Sequence, residues 1–272
     1  MTGVQTCALP IFGPPVLGRG YLEAIADSEL MRVQTEQAAR TDAIHGAIDM
    51  TTFISVPNPD ATFGTFTTGQ VVIGRFGLKA RIVTLDEFTA DAFQGDMGMT
   101  TPMRPTELPN PDGLTDDLRP GVDLDIEHVN KIAFYLRRIA IPKRIGMTDA
   151  GATLFAQIQC AACHVPAMHT RADYPIAQLA DIDAPVYTDM LLHDMGPALA
   201  DGMADASSKS PQWRTAPLIG LRFSKAYLHD ARAHSITEAI GAHAGEGAAS
   251  AAAFAALSAD DQATLLAFIQ AL

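Results

Sequence analysis

The amino-acid sequence predicts a mainly helical protein whose N-terminal part is loop-rich and only partly helical. Apolar residues recur every three or four positions in residues 125–141, 148–159 and 258–272, which is the spacing of one buried helix face. The capping box Ser235-Ile236-Thr237-Glu238 indicates a further helix. Residues 51–111 are instead rich in Thr, Gly, Phe and Pro. That composition is typical of loops with a few short strands and at most one short helix.

The N-terminal part is expected to begin with a turn followed by a helix. Residues 12–27 pass from a Gly- and Pro-rich turn into a helical pattern that continues to about Ala39. The candidate core positions of this helix are Leu22, Ile25, Leu30 and Val33. Further along, Pro142 ends the helix of residues 125–141, because proline cannot continue a helix.

A domain boundary is predicted just after Pro142. Residues 143–148 form a linker, so we expect residues 12–145 to form one part and residues 146–272 a second domain. Residues 148–159 form a helix that leads directly into Cys160. The last helix should begin at Ser258 and bury the apolar side chains of Leu265, Leu266, Phe268, Ile269 and Leu272.

Length and charge exclude several classes of function. With 272 residues and 48% hydrophobic composition, the chain can bury a substantial core. Its net charge of -12 argues against a nucleic-acid partner and favours a basic or neutral partner. No run of 18 apolar residues predicts a membrane span. Residues 1–11 resemble a translated sequencing adapter, so we expect Cys7 to be foreign and the reading frame to start inside a longer protein.

The most specific signal in the chain is Cys160-Ala161-Ala162-Cys163-His164. Covalent haem attachment needs this pattern, because each thiol adds to a vinyl group and the adjacent imidazole ligates the iron. A CxxC pair also occurs in redox dithiols and in zinc sites. A redox dithiol does not need the following histidine, and the chain has no second cysteine pair for a four-cysteine zinc site. The pattern predicts haem c bound by Cys160, Cys163 and His164.

A sixth iron ligand is expected, and His or Met usually supplies it in electron-transfer cytochromes. His243 lies three, four and seven residues after Ile240, Ala239 and Ile236, which places it on the apolar face of the helix that begins at Ser235. A core histidine bonded to a carbonyl is the alternative interpretation. Met195, in a glycine-flanked turn, is the second candidate, and the remaining candidates are His193, His229, His169 and His234.

Arg214 is a candidate partner for a haem propionate. A guanidinium binds a carboxylate through two parallel hydrogen bonds. The alternative is a surface arginine beside Trp213.

Seven segments, in order, resemble the di-haem oxidoreductase family of peroxidase-like proteins, which are distant relatives of bacterial di-haem cytochrome c peroxidases. They are GPPVLGRGYLEAI, GRFGLKA, GDMGMT, LFAQIQCAACHVP, YTDMLLHDMGPALADG, WRTAPLIGL and LHDARAHSITEAIGAHAGE. The chain departs from the family at Leu78, where Trp is usual, and at Ala231, where Gly is usual. The first departure puts an electron relay through that position in doubt.

The resemblance implies a cytochrome c-like domain from residue 146 and a c-type haem oxidoreductase that is peroxidase-like when intact. It also implies a second haem motif N-terminal to this chain, so the chain would carry one haem c and mainly transfer electrons. The expected partners are a small electron-donor protein or cytochrome and hydrogen peroxide or another small oxidant, in the periplasm. The alternatives are a plain electron-transfer module and a zinc-stabilised binding domain.

Overall fold

The computed structural model describes residues 13, 15–109, 120–203 and 208–272. The predictions for residues 1–11, Cys7 among them, lie outside the described residues. Helices make up 39% and strands 10% of the described residues, so the architecture is mixed. The prediction of a mainly helical protein is therefore confirmed only in part.

The first predicted helix is interrupted. It forms α1 (Arg19–Ala24) and α2 (Asp27–Ala38), with the break at Ile25 and Ala26. Ile25 forms a β-bridge with Thr170, and the Ala26 amide donates a hydrogen bond to the His169 carbonyl at 3.2 Å. Backbone groups that would have continued the helix thus form hydrogen bonds with a distant segment of the chain instead. The candidate core positions Leu22, Ile25, Leu30 and Val33 are all buried.

The loop-rich region contains more helix than predicted. The strands β1 (Met50–Thr52) and β2 (Val71–Ile73) pair antiparallel, and α3 (Leu85–Met97) follows with 13 residues. The described part of this region contains one helix, as expected, but it is longer than expected. Its apolar pattern is weakened because α3 buries polar side chains, including Asp86, Glu87 and Thr89.

Two predicted helices precede the CxxCH segment. Asp125 caps α4 (Ile126–Arg138) by accepting a hydrogen bond from the His128 amide, and Thr148 caps α5 (Asp149–Gln157) in the same way from the Gly151 amide. A Cβ at Gly151 would lie 2.4 Å from Cβ of Phe268, so glycine allows α5 to pack closely on the last helix. This packing fixes the orientation of α5 and so the position of Cys160, which follows it in the chain.

Two small antiparallel sheets follow the CxxCH segment, and both were missed by the sequence analysis. One pairs β3 (Met168–His169) with β4 (Asp183–Ala184), and the other pairs β5 (Leu192–Asp194) with β6 (Gln212–Arg214). In the second sheet, His193 lies opposite Trp213 and Leu192 lies opposite Arg214. The strands have only two or three residues, too few to show an alternating pattern.

The chain ends with α6 (Ile236–Gly241), α7 (Ala248–Ala255) and α8 (Ala259–Ala271). Ser235 and Ser258 cap α6 and α8, as predicted, by accepting hydrogen bonds from the backbone amides of Glu238 and Asp261. Within the described part of the chain, no helix is long and apolar enough to cross a membrane.

The buried side chains form two principal clusters. The first combines residues from both sides of position 145, including Leu22, Phe76, Met168 and Leu191. The second lies beneath the CxxCH segment and consists of Phe155, Ile158, Tyr187, Phe254, Leu265, Phe268, Ile269 and Leu272. The predicted division near residue 146 stays a prediction.

Candidate functional site

The CxxCH segment forms a tight turn between α5 and the loop that follows. Gln159 adopts a left-handed conformation with φ of 66°, and residues Cys160–Ala162 form one turn of 3₁₀ helix. The His164 amide donates to the Cys160 carbonyl at 2.9 Å, which closes the loop. Cys160 packs against the second apolar cluster. The turn therefore holds Cys160, Cys163 and His164 on one compact unit.

The pKa values of the two thiols are raised, which does not favour thiol–disulfide exchange. Burial raises the pKa of the Cys160 thiol to about 12. Burial also raises the pKa of Cys163, although a contact with His193 opposes the shift. Reactive dithiols need a lowered pKa, because the thiolate is the nucleophile. Burial of the two thiols thus disfavours the redox-dithiol alternative.

His164 has one ring nitrogen without a hydrogen-bond partner among the described residues. Its Nδ1 lies 3.2 Å from the Tyr187 carbonyl oxygen, so Nδ1–H donates and Nε2 keeps its lone pair. Burial, reinforced by the nearby His243, lowers the pKa of His164 to about 4. The neutral imidazole is the form that ligates metals. The hydrogen bond to the carbonyl also fixes the ring orientation, as is usual for metal-binding histidines.

His243 has a matching arrangement. Its Nδ1 lies 2.7 Å from the Ala239 carbonyl oxygen, which again leaves Nε2 free. Burial lowers the pKa of His243 and so favours its neutral form. The predicted position on the face of α6 is wrong, because α6 ends at Gly241 and His243 lies in the turn just beyond the C-cap residue Ala242.

Met195 lies beside His243. A Cβ at Gly247 would be 3.4 Å from Cε of Met195 and 3.1 Å from Cβ of His243. The two sequence candidates for the sixth ligand therefore border the same position near Gly247. Glycine at this position leaves room for both side chains.

His193 is held by two carboxylates. Its Nε2 lies 2.8 Å from Asp189 Oδ2 and its Nδ1 lies 2.7 Å from Glu246 Oε2. Burial alone would lower the pKa of His193, but hydrogen bonds to Asp189, Cys163 and Glu246 raise it well above the usual value. Both ring nitrogens are thus occupied, and His193 is a poor candidate for the sixth ligand. Gln37 completes the network by donating to Asp189 at 2.7 Å.

The other candidate histidines lie in different surroundings. His229 stacks on Trp213 with ring centroids 3.8 Å apart. His169 is exposed and contacts Asp181 and Asp183, and His234 is exposed. None of these three contacts His164 or His243 in the described structure.

Arg214 is buried, so the surface alternative is wrong. Its Nε donates to the Gly77 carbonyl at 3.0 Å, and burial lowers its pKa to about 10. Arg19, which the sequence analysis did not single out, is 1% exposed and lies close enough to Arg214 for the two charges to repel. Ala231 has φ of 59°, a conformation that favours the glycine usual in this position.

A second donor set overlaps the CxxCH segment. Ligand atoms of Cys163, Asp189 and His193 lie within 4.8 Å of one another. Such a set is compatible with Zn²⁺, although each ring nitrogen of His193 already contacts a carboxylate. Asp189 and Glu246 had no recognisable signal in the sequence, since isolated acidic residues occur throughout the chain.

A family model described as "Di-haem oxidoreductase, putative peroxidase" matches residues 9–272. A chain of Kuenenia stuttgartiensis hydrazine synthase, pressurised with 20 bar xenon, is 13% identical, with 100% of this chain and 98% of that chain covered and a TM-score of 0.42. A MauG-like protein associated with microbial copper homeostasis is 14% identical, with 100% and 95% covered and a TM-score of 0.41. The comparison with curated proteins found no match.

Proposed function

The chain belongs to the di-haem oxidoreductase family, and on this premise we propose that it carries a covalent c-type haem and transfers electrons through it. The thiols of Cys160 and Cys163 would form the thioethers, and His164 would be the proximal iron ligand. The observation that carries the proposal is the free Nε2 of His164, set by the hydrogen bond from Nδ1–H to the Tyr187 carbonyl. The iron supplies one-electron redox chemistry when bound.

His243 would be the sixth ligand, with Met195 as the alternative. Two histidines whose Nδ1 atoms are both bonded to carbonyls can each offer Nε2 to one iron, and this donor set fits a bis-imidazole haem. Arg214 would neutralise a haem propionate. The acidic net charge of -12 suits a small basic donor protein or cytochrome, in the periplasm, with peroxide or another small oxidant as acceptor.

The first prediction is covalent haem attachment. Expression with a haem-maturation system should give a denatured mass one haem above that of the apo-chain, because thioether bonds survive denaturation. A pyridine haemochrome spectrum would confirm the haem type. The Cys160→Ala/Cys163→Ala variant is the control and should show the apo-mass. An unchanged wild-type mass together with stoichiometric zinc would contradict the proposal and favour the zinc-stabilised alternative, with Cys163, Asp189 and His193 as ligands.

The second prediction is slow peroxide turnover by this chain. Peroxide must reach an iron with a free sixth position, and His243 or Met195 would occupy that position. We expect the haem-loaded chain to exchange electrons with a small basic donor at a rate that falls with added salt, and to consume little peroxide. The measurement is peroxide consumption with a reduced donor, compared with a family member that carries two haems. Comparable turnover in the two would show that the haem at Cys160 and Cys163 is itself catalytic.

A further inference from the structure

Arg19 is a buried cation without a partner among the described residues. Its side chain is 1% exposed, and Nε and both terminal nitrogens lack hydrogen-bond acceptors. Leaving a buried charge unpaired costs several kcal/mol, so proteins almost always pair such groups. The second charge of Arg214 close by adds repulsion to this cost.

The two guanidiniums remain charged at neutral pH. Burial first, and then the charge of Arg214, lower the pKa of Arg19 to about 9, and burial lowers that of Arg214 to about 10. The Arg214 guanidinium donates hydrogen bonds to the carbonyls of Gly77 and Thr215, and to no carboxylate among the described residues. Asp189 attracts Arg214 electrostatically, but its carboxylate already accepts from Gln37, from His193 and from the Leu191 amide. The pair therefore lacks a dedicated anion.

Arg19 lies next to residues that support His164. A Cβ at Gly18 would be 2.9 Å from Cδ1 of Ile219, so the start of α1 packs on this segment. The neighbouring Leu218 amide donates to the Tyr187 carbonyl at 3.3 Å, and this carbonyl is the one that accepts from His164.

Arg214 is linked to the CxxCH segment by a separate route. It pairs with Leu192 across β5 and β6, next to His193. Nδ1 of His193 lies 3.7 Å from Sγ of Cys163. Two independent sets of contacts thus join the arginine pair to the proposed haem-binding residues.

We propose that Arg19 and Arg214 together form a buried carboxylate-binding site, which a propionate of the haem occupies. A guanidinium binds a carboxylate through two parallel hydrogen bonds, and two guanidiniums match a carboxylate buried away from water. The inference rests on the proposed function, since the propionate arrives with the haem. It assigns to Arg19 a role in holding the cofactor through its charge.

The test is the sign of the stability change in Arg19→Met, measured on protein that carries haem only at Cys160 and Cys163. If a propionate is bound, the variant leaves a buried carboxylate with one cation, and the melting temperature should fall by roughly 6 to 20 °C. If Arg19 is an unpaired cation, methionine removes the unpaired charge and the melting temperature should rise. A rise or no change would overturn the inference.

Arg138→Met is the matched control, because Arg138 is exposed on α4, and it should leave the melting temperature nearly unchanged. The midpoint potential is the second readout. Without the Arg19 cation, the negative charge of the carboxylate is less neutralised and stabilises the oxidised iron. The midpoint potential should therefore fall in Arg19→Met and remain unchanged in Arg138→Met. If Arg19→Met does not fold, Arg19→Gln serves, because it also removes the charge, and a fall in the potential is again expected. An unchanged potential in Arg19→Gln would then contradict the inference.

Acetate titration distinguishes the source of the carboxylate. Haem-loaded wild-type protein should not gain stability from acetate, since the propionate already occupies the site. An increase in melting temperature that requires Arg19 would assign the site to an anion from solution and overturn the haem assignment. Haem content is measured first, by mass, so absence of haem contradicts the proposed function, whereas a wrong sign in haem-loaded protein contradicts only this inference.

Discussion

Replacing His243 by alanine is expected to convert a low-spin, six-coordinate haem into a high-spin, five-coordinate one. His243 holds Nδ1–H on the Ala239 carbonyl at 2.7 Å, and its pKa is lowered by burial, so a neutral imidazole with a free Nε2 lies near His164. Removing this ring removes the proposed sixth ligand. The change is measured by absorbance and electron paramagnetic resonance of the oxidised protein, and peroxide consumption should rise as the site opens.

Met195→Ala is the matched control for His243→Ala, because both side chains border Gly247. Met195→Ala should keep the low-spin spectrum and shift the potential only slightly. If Met195→Ala instead gives the high-spin spectrum and His243→Ala keeps the low-spin one, the ligand assignment is wrong and Met195 is the sixth ligand.

Replacing Glu23 by alanine is expected to destabilise the protein by about 3–5 kcal/mol, the cost of removing one partner from a buried ion pair. Glu23 lies on α1 and accepts from Arg137 on α4 at 2.6 Å and 2.9 Å. It also accepts from the Leu85 amide at 2.7 Å and from the Tyr174 hydroxyl at 2.8 Å. All these donors are buried, and in the alanine variant the Leu85 amide and the Tyr174 hydroxyl lose this acceptor, whereas Arg137 keeps Asp86 at 2.8 Å. Urea unfolding with a constant slope measures the change in free energy of unfolding.

Glu36→Ala is the comparison for Glu23→Ala, because Glu36 also pairs with an arginine but its side chain is 63% exposed. Solvent screens that pair, so its loss should cost at most about 0.5 kcal/mol. Equal effects of the two substitutions would show that the buried pair contributes no more than a surface one.

The buried ion cluster of Glu23, Arg137 and Asp86 could not be predicted from the sequence. Glu23 and Arg137 are 114 positions apart, and neither has a neighbour in sequence that indicates pairing. The helix α3, which carries Asp86 of the same cluster, has a buried polar face, which weakens the apolar period by which a helix is recognised. Its length was therefore underestimated. Likewise, the break between α1 and α2 depends on the bridge from Ile25 to Thr170, a contact formed only in the folded chain.

The sequence by itself determined the features that depend on neighbouring residues. The spacing of Cys160, Cys163 and His164 predicts the haem chemistry. Ser235 and Ser258 cap the helices that the sequence predicted to begin there. Both are local, because a cap or a CxxCH turn involves residues within one or two turns of backbone. The family assignment also followed from short ordered motifs.

Tertiary structure alone decided the chemical state of each candidate residue. His164 and His243 each have one free nitrogen because carbonyls accept from the other, whereas His193 has none because Asp189 and Glu246 hold both of its nitrogens. A histidine has the same side chain in all three surroundings, so its residue type cannot distinguish them. Burial and long-range partners set pKa, tautomer and free lone pairs, and these arise only when distant segments pack together.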